Sequence, residues 1–192
     1  MTEAIADTAR ERILQAAEEL FAAAGFDATP TSRIAARAGV PKGLVHYYFK
    51  RKPDLLTALV GRLPDDLVPV ADVVVPGDLT ESLCRLVDAL DRALDCSTVL
   101  SHLLWREADT HPDVLDALNS RFDRVVARIR DVILAAAPGR PAAADVEPAA
   151  QLLASAVSYR HSVARHTEEE QAAMRRELEF LAAAIEGIPR SN

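Results

Sequence analysis

The stretch TPTSRIAARAGVPKGLVHYYFKRKPDLL, residues 29–56, decides the fold. Thr29-Pro30 reads as an N-cap followed by proline at the first helical position. Ile34, Ala35 and Ala38 continue a short helix that stops at Gly39, and Val40-Pro41 breaks the chain. A further helix runs from about Lys42 to Phe49. Ala35 and Ala38 let two helix backbones approach closely, and Gly39 permits a turn that a Cβ would obstruct. Val45 and Phe49, four apart, face inward, while Leu44, His46, Tyr47 and Tyr48 project from the same helix. Gly43 leaves room for another backbone to come near. A helix, a glycine turn and a short second helix preceded by a basic residue are what a helix-turn-helix requires.

Helical periodicity extends outward from this stretch in both directions. Upstream, Ile13, Leu14, Ala17, Leu20, Phe21 and Ala24 form one stripe over about 8–24, ended by Gly25 in a left-handed position. Downstream, Leu55, Leu56, Leu59, Val60 and Leu63 form another, closed by Pro64. Residues 64–77 carry Pro64, Pro69 and Pro76 and the strand-like run Val73-Val74-Val75; one strand makes no sheet, so this segment reads as an irregular linker. Longer helices follow. Asp78-x-x-Glu81 and Thr167-x-x-Glu170 are capping boxes, and Thr110-His111-Pro112 breaks and restarts the chain. The expectation is an all-α protein of about nine helices: an N-terminal helix-turn-helix unit at 8–63 and a larger helical domain at 78–192.

Composition excludes several classes. With 192 residues, 49% apolar and 27% charged, the chain is ordinary globular protein with enough length for a real core. No run of about 18 apolar residues exists, so no membrane span is expected. The polar start MTEAIADTARER lacks a secretory pattern, and two cysteines, Cys84 and Cys96, make no disulfide framework; both point to the cytoplasm. The net charge of −7 is an average over unlike parts. Residues 1–62 hold nine Lys/Arg against seven acids, and the remainder 13 against 22. Between Asp27 and Asp54 there is no acid, yet Arg33, Arg37, Lys42, Lys50, Arg51 and Lys52 lie there, including all three lysines. Such asymmetry marks either an anion-binding face or merely a soluble basic one.

At these residues the sequence resembles the TetR family of bacterial transcription regulators. The family's pattern stands here as Thr29, Ile34-Ala35-Ala36-Arg37-Ala38-Gly39-Val40, Lys42-Gly43, Val45, Tyr47-Tyr48-Phe49 and Lys52-Pro53-Asp54-Leu55-Leu56, with Gly25 to Thr29 upstream. The close match covers about residues 10–60; the rest agrees only in helix count and length. His46 stands where the family most often has Tyr, and Arg51 where a small capping residue is usual. Arg51 thus weakens a cap by roughly 1 kcal/mol but adds charge beside the phosphates.

The resemblance implies roles. Thr29, Thr31 and Ser32 would touch the DNA backbone, and Arg33 a base edge or phosphate. Lys42, Gly43, Leu44, His46 and Tyr48 would lie at the major groove, with Lys42 donating to guanine and Leu44 meeting a thymine methyl. Tyr47 and Lys52 would hold phosphates. Tyr47 and Tyr48 also suit a core, Arg37 and Lys50 suit solvent or an internal pair, and Ser32 suits a helix cap. A homodimer would place two heads about 34–36 Å apart on near-palindromic double-stranded DNA.

The resemblance also implies that the C-terminal helices bind a small effector and form the dimer. Candidate lining residues are Cys84, His102, Trp105, Phe122, Ser155 and Tyr159, the odd residues on aliphatic helices; each taken alone is more often a plain core residue. Leu152, Ala156, Met174, Leu178, Leu181 and Ile185 are candidate dimer contacts, or else complete the monomer's own core. His102, His111, His161 and His166 make no metal set, and Glu168-Glu169-Glu170 reads as a helix start. No cofactor is implied. With seven glycines and no nucleophile motif or phosphate loop, no enzyme is expected. The function expected is a ligand-responsive DNA-binding repressor. The alternative is a DNA-binding protein acting through a protein partner docked on the acidic half.

Overall fold

The structure, a computed structural model, describes residues 2–63, 68–95, 98–137, 139, 141, 143–163 and 168–187. Among these are ten helices and no strand: α1 (Thr2–Ala24), α2 (Thr31–Ala38), α3 (Lys42–Tyr48), α4 (Pro53–Val60), α5 (Val70–Val73), α6 (Leu79–Asp95), α7 (Thr98–Ala108), α8 (Pro112–Ala136), α9 (Ala143–Val163) and α10 (Glu168–Glu186). The all-α expectation holds. The helix beyond the expected nine is α5, a single turn inside the segment read as irregular. Pro69 presets its entry at φ −59°, and the Val74 amide closes the turn on the Val70 carbonyl at 3.1 Å. Val73 is buried in an aliphatic core there, so packing overrides its strand preference.

The chain forms two compact units, Met1–Leu63 with Ser97–Asn119, and Pro64–Cys96 with Ser120–Asn192; the division falls within α8. The division by packing therefore differs from the sequence division at 8–63 and 78–192, because α7 and the first turns of α8 share a core with the N-terminal helices. Leu100, Leu103, Leu104, Val114 and Leu118 pack in one cluster with Ile13, Leu14, Phe21, Ile34, Val45, Phe49, Leu55 and Leu56. The spacings that marked each helix are the spacings of this cluster. Ile13, Leu14, Ala17 and Phe21 are all buried, as are Leu55, Leu56, Leu59 and Val60.

In the second unit the aliphatic stripes of α6, α8, α9 and α10 make a separate core, including Leu79, Leu83, Leu86, Ile129, Ile133, Leu153, Val157 and Leu178. Asp78 caps α6: its carboxylate accepts from the Glu81 amide at 2.9 Å. The reciprocal half of the box is absent, since the Glu81 carboxylate pairs with Arg85 at 2.9 Å instead. Buried Ser82 ties the preceding turn to α6. Its Oγ accepts from the Val75 amide at 2.8 Å and reaches the Asp78 carbonyl at 2.7 Å. The second capping residue, Thr167, lies outside the described residues.

Candidate nucleic-acid interface

The turn between α2 and α3 is built as its sequence requires. Gly39 sits at φ +64°, where a side chain would be strained, and its amide bonds the Ala36 carbonyl at 3.2 Å. The Val40 amide reaches the Ala35 carbonyl at 3.0 Å, which completes the helix end. Arg12 of α1 secures the same turn, donating from Nε to the Ala38 carbonyl and from Nη2 to the Gly39 carbonyl, both at 3.0 Å. The sequence reading missed Arg12, because nothing local marks a residue 26 positions away as a helix cap.

With the turn fixed, α3 divides into two faces. Val45 is fully buried and Phe49, just past the helix, is buried with it. Lys42, Gly43, His46 and Tyr47 are exposed, and Leu44 and Tyr48 are half-buried. Tyr47 is 68% exposed, which separates it from a core aromatic; its ring meets Tyr48 edge-on at 5.1 Å, and Lys50 Nζ lies 6.0 Å from its centroid. A Cβ built on Gly43 meets nothing within 4 Å, so packing inside the chain does not demand glycine there. On α2, Ser32 and Arg33 are exposed and Thr31 is half-buried.

The six cations of the acid-free stretch are not equivalent. Arg37 pairs with Glu19 of α1 at 2.6 Å. The Gln15 amide, and after it the Arg37 guanidinium, hold the Glu19 carboxyl below its ordinary range. Arg51 Nη2 reaches Asp54 at 2.8 Å and Asp113 at 2.7 Å, bonds that raise its already high pKa, the Asp113 one foremost. Among the described residues, Arg33, Lys42 and Lys50 have no carboxylate partner within 4.0 Å. All three flank or lie on the exposed face of α3.

Three expectations are corrected here. Thr29 is fully buried, and its hydroxyl donates to the Gly25 carbonyl at 2.8 Å, with the Leu20 carbonyl at 3.3 Å. It closes the end of α1 rather than presenting itself to a phosphate, and Pro30 occupies the N-cap position of α2. Lys52 is not free for a phosphate either. Its Nζ donates to the Phe26 carbonyl at 2.5 Å and the Asp27 carbonyl at 3.3 Å, and lies 4.2 Å over the Phe26 ring. Arg51, expected to add positive charge beside phosphates, is engaged by two carboxylates. Its own amide donates to the Asp54 carboxylate at 2.8 Å, while the α4 N-cap position, Lys52, makes no side-chain cap bond.

In the C-terminal unit the expected residues scatter. His102 and Trp105 fall in the first unit and are exposed; Cys84 is buried in the second core, and burial pushes its thiol pKa up. Phe122 packs half-buried on that core, whereas Ser155 and Tyr159 face outward. None of the six lines the cleft of about 530 Å³ between α5 and α6, whose wall includes Val68, Asp72, Arg85, Asp88 and Arg92. Of the expected dimer contacts, Met174, Leu178 and Ile185 are buried in the chain's own core, and Ala156 and Leu181 pack against it. Leu152 is 67% exposed, joined by Tyr159 at 64% and Phe180 at 51%. Phe180 was missed because it lies off the regular stripe of α10. Among the described residues no cluster of three metal-ligating side chains occurs, and no helix is long and apolar enough to cross a membrane.

Two short helices joined by a glycine turn, with the second presenting a basic face free of acids, define a helix-turn-helix protein. Residues 13–59 match the family described as bacterial regulatory proteins, tetR family. The HTH-type transcriptional repressor Rv3405c of Mycobacterium tuberculosis is 34% identical over 114 residues, 58% of this chain and 59% of that protein. The HTH-type transcriptional repressor BepR of Brucella suis is 38% identical over 61 residues, 32% of this chain and 29% of that one. The matches thus span about three-fifths or less of these relatives' length. The fold resembles Salmonella enterica GusR, with a TM-score of 0.71, 23% identity and coverage of 91% and 95% of the two chains. It also resembles the TetR family regulator PfmR of Thermus thermophilus, with a TM-score of 0.65, 19% identity and coverage of 93% and 100%. The likeness to the TetR family thus rests on residues 13–59, the helix-turn-helix head.

Proposed function

We propose that the chain is a DNA-binding transcriptional repressor of the cytoplasm that acts as a homodimer and is released from its operator by a small molecule. The observation that carries the reading is the outward face of α3. Its Lys42, Gly43, His46 and Tyr47 are exposed, while Val45 and Phe49 anchor the opposite face. A seven-residue helix held rigidly by its back, with no acid nearby, suits entry into a major groove. Lys42 would donate to guanine and Leu44 meet a thymine methyl. Thr31, Ser32 and Arg33 at the start of α2 would position the head on phosphates, with Tyr47 on α3 and Lys50 just beyond it doing the same. Gly43, free of internal constraint, lets the DNA backbone approach α3.

The dimer contacts are best assigned to Leu152, Tyr159 and Phe180, the exposed apolar residues of α9 and α10. Solvent-exposed side chains of this size on two helices of one unit are what a second copy would cover. An effector in the C-terminal unit needs only a differential affinity for the two states of the dimer, typically about 1–3 kcal/mol.

The test is fluorescence anisotropy on random-sequence duplex over a range of salt. Affinity should fall with salt, with a slope reduced by about 0.9 for each phosphate contact removed from Arg33 or Lys50. A salt-independent or absent association would contradict the reading.

A further inference from the structure

His46 is exposed on α3 and stands four residues from Lys42, on the same side of the helix. A histidine changes charge in the range where the cell operates. What surrounds it is therefore decisive. On its own helix the neighbours with charge or a titratable group are Lys42, Tyr47 and Tyr48, with Lys50 just beyond. On α2, which packs against α3, they are Arg33 and Arg37, and the latter is held by Glu19. On α1 they are Arg12, occupied by the Ala38 and Gly39 carbonyls, and Arg10, which lies 5.6 Å over the Phe49 ring. Beyond the face, Arg51 is taken by Asp54 and Asp113. Of the acids, Glu11 and Glu18 of α1 are paired with Arg62, Glu19 of α1 with Arg37, and Asp54 of α4 with Arg51; among the described residues no carboxylate lies within 4.0 Å of the His46 imidazole.

The free protein thus offers a proton on His46 cationic neighbours and no carboxylate partner. DNA docked on the same face offers the opposite: phosphates and acceptor edges, in a strongly negative field. A neutral imidazole donates one hydrogen bond, and an imidazolium donates two and carries charge. We propose that DNA binding by this chain takes up a proton at His46, so that operator affinity rises as pH falls through the neutral range, with the imidazolium donating to an acceptor on the DNA. The acceptor chemistry is shared by guanine N7 or O6 and by a phosphate oxygen. The inference rests on the DNA-binding reading of α3 and goes beyond it by making the proton a co-ligand of the operator.

The experiment uses the full chain and an operator duplex selected from a random pool, with affinity measured from about pH 6 to pH 8 at constant ionic strength. Wild type should tighten as pH falls, by at most about tenfold per pH unit for each linked proton, one for each head of the dimer. His46→Gln and His46→Tyr should flatten this slope, and their melting temperatures should stay at the wild-type value because the residue is exposed. A slope that persists in His46→Gln overturns the inference and leaves the DNA-binding reading standing. Failure of wild type to bind any duplex overturns both. Operators carrying 7-deazaguanine or methylphosphonate separate the sources, since the modification that flattens the wild-type slope marks the acceptor. A slope lost in His46→Gln but kept on both modified duplexes contradicts direct contact.

Discussion

Arg51 Nη2 lies 2.7 Å from Asp113 Oδ2, joining the residue that precedes α4 to the first turn of α8 across 62 positions of sequence. Asp113 also sits where a negative charge suits the start of a helix. The pair is exposed on both sides, so it does little for stability and loosens in salt. Its consequence is electrostatic. Arg51→Ala should leave the salt slope of DNA binding unchanged, because that charge is already neutralised. Asp113→Asn should partly free Arg51 and steepen the slope, by at most about 0.9 for each head of the dimer. Salt titrations of the two variants check this; a slope reduced by Arg51→Ala would place the guanidinium on a phosphate.

Lys52 and Thr29 hold the head together, and their removal should show in folding rather than in salt dependence. Lys52→Met removes a charged donor from the Phe26 and Asp27 carbonyls and should cost about 1–2 kcal/mol. Thr29→Val keeps the shape but loses the bond to the Gly25 carbonyl, costing about 1 kcal/mol. Urea melts give the costs, and an unchanged salt slope in the folded variants separates this role from a phosphate contact.

Asp91 and Arg160 form an ion pair at 3.0 Å in the second unit, with side chains only 14% and 10% exposed. Removing one partner takes the ion pair away from a charge that stays largely buried. Arg160→Met alone should destabilise by about 3–5 kcal/mol, while Arg160→Met with Asp91→Leu should recover most of the loss. Chemical denaturation of the two single variants and the double variant measures the coupling.

The two stripes of α9 and α10 should behave oppositely. Leu152→Asp and Phe180→Asp should leave a folded monomer, seen by light scattering, with operator affinity greatly reduced. Leu178→Asp puts a charge in the core, where Leu178 is 2% exposed, and should prevent folding. A folded monomer from Leu178→Asp would return the dimer face to the residues first expected.

The head was legible in sequence because each of its positions answers to a local constraint. Gly39 needs a positive φ, Val45 and Phe49 bury at a spacing of four, and Ala35 and Ala38 admit a close helix. The partners of its cations were not legible. Whether Lys52 meets a phosphate or the Phe26 carbonyl, and whether Arg51 meets DNA or Asp113, depends on where distant segments come to rest. The same ambiguity governs α10. Met174, Leu178 and Ile185 recur at helical spacing whether they face their own core or a second copy, so periodicity identifies the stripe and not its occupant. The single turn at Val70–Val73, inside the segment read as irregular, was not legible for a related reason: it depends on Pro69 at its entry and on a core that buries Val73.

The central claim is that the exposed face of α3 reads double-stranded DNA. Selection of bound duplexes from a random pool at two salt concentrations tests it most directly. The account predicts enrichment of a near-palindromic site with half-sites about one helical turn apart, and loss of that preference on changing Lys42 or Leu44. No enrichment, or a site without symmetry, would contradict it.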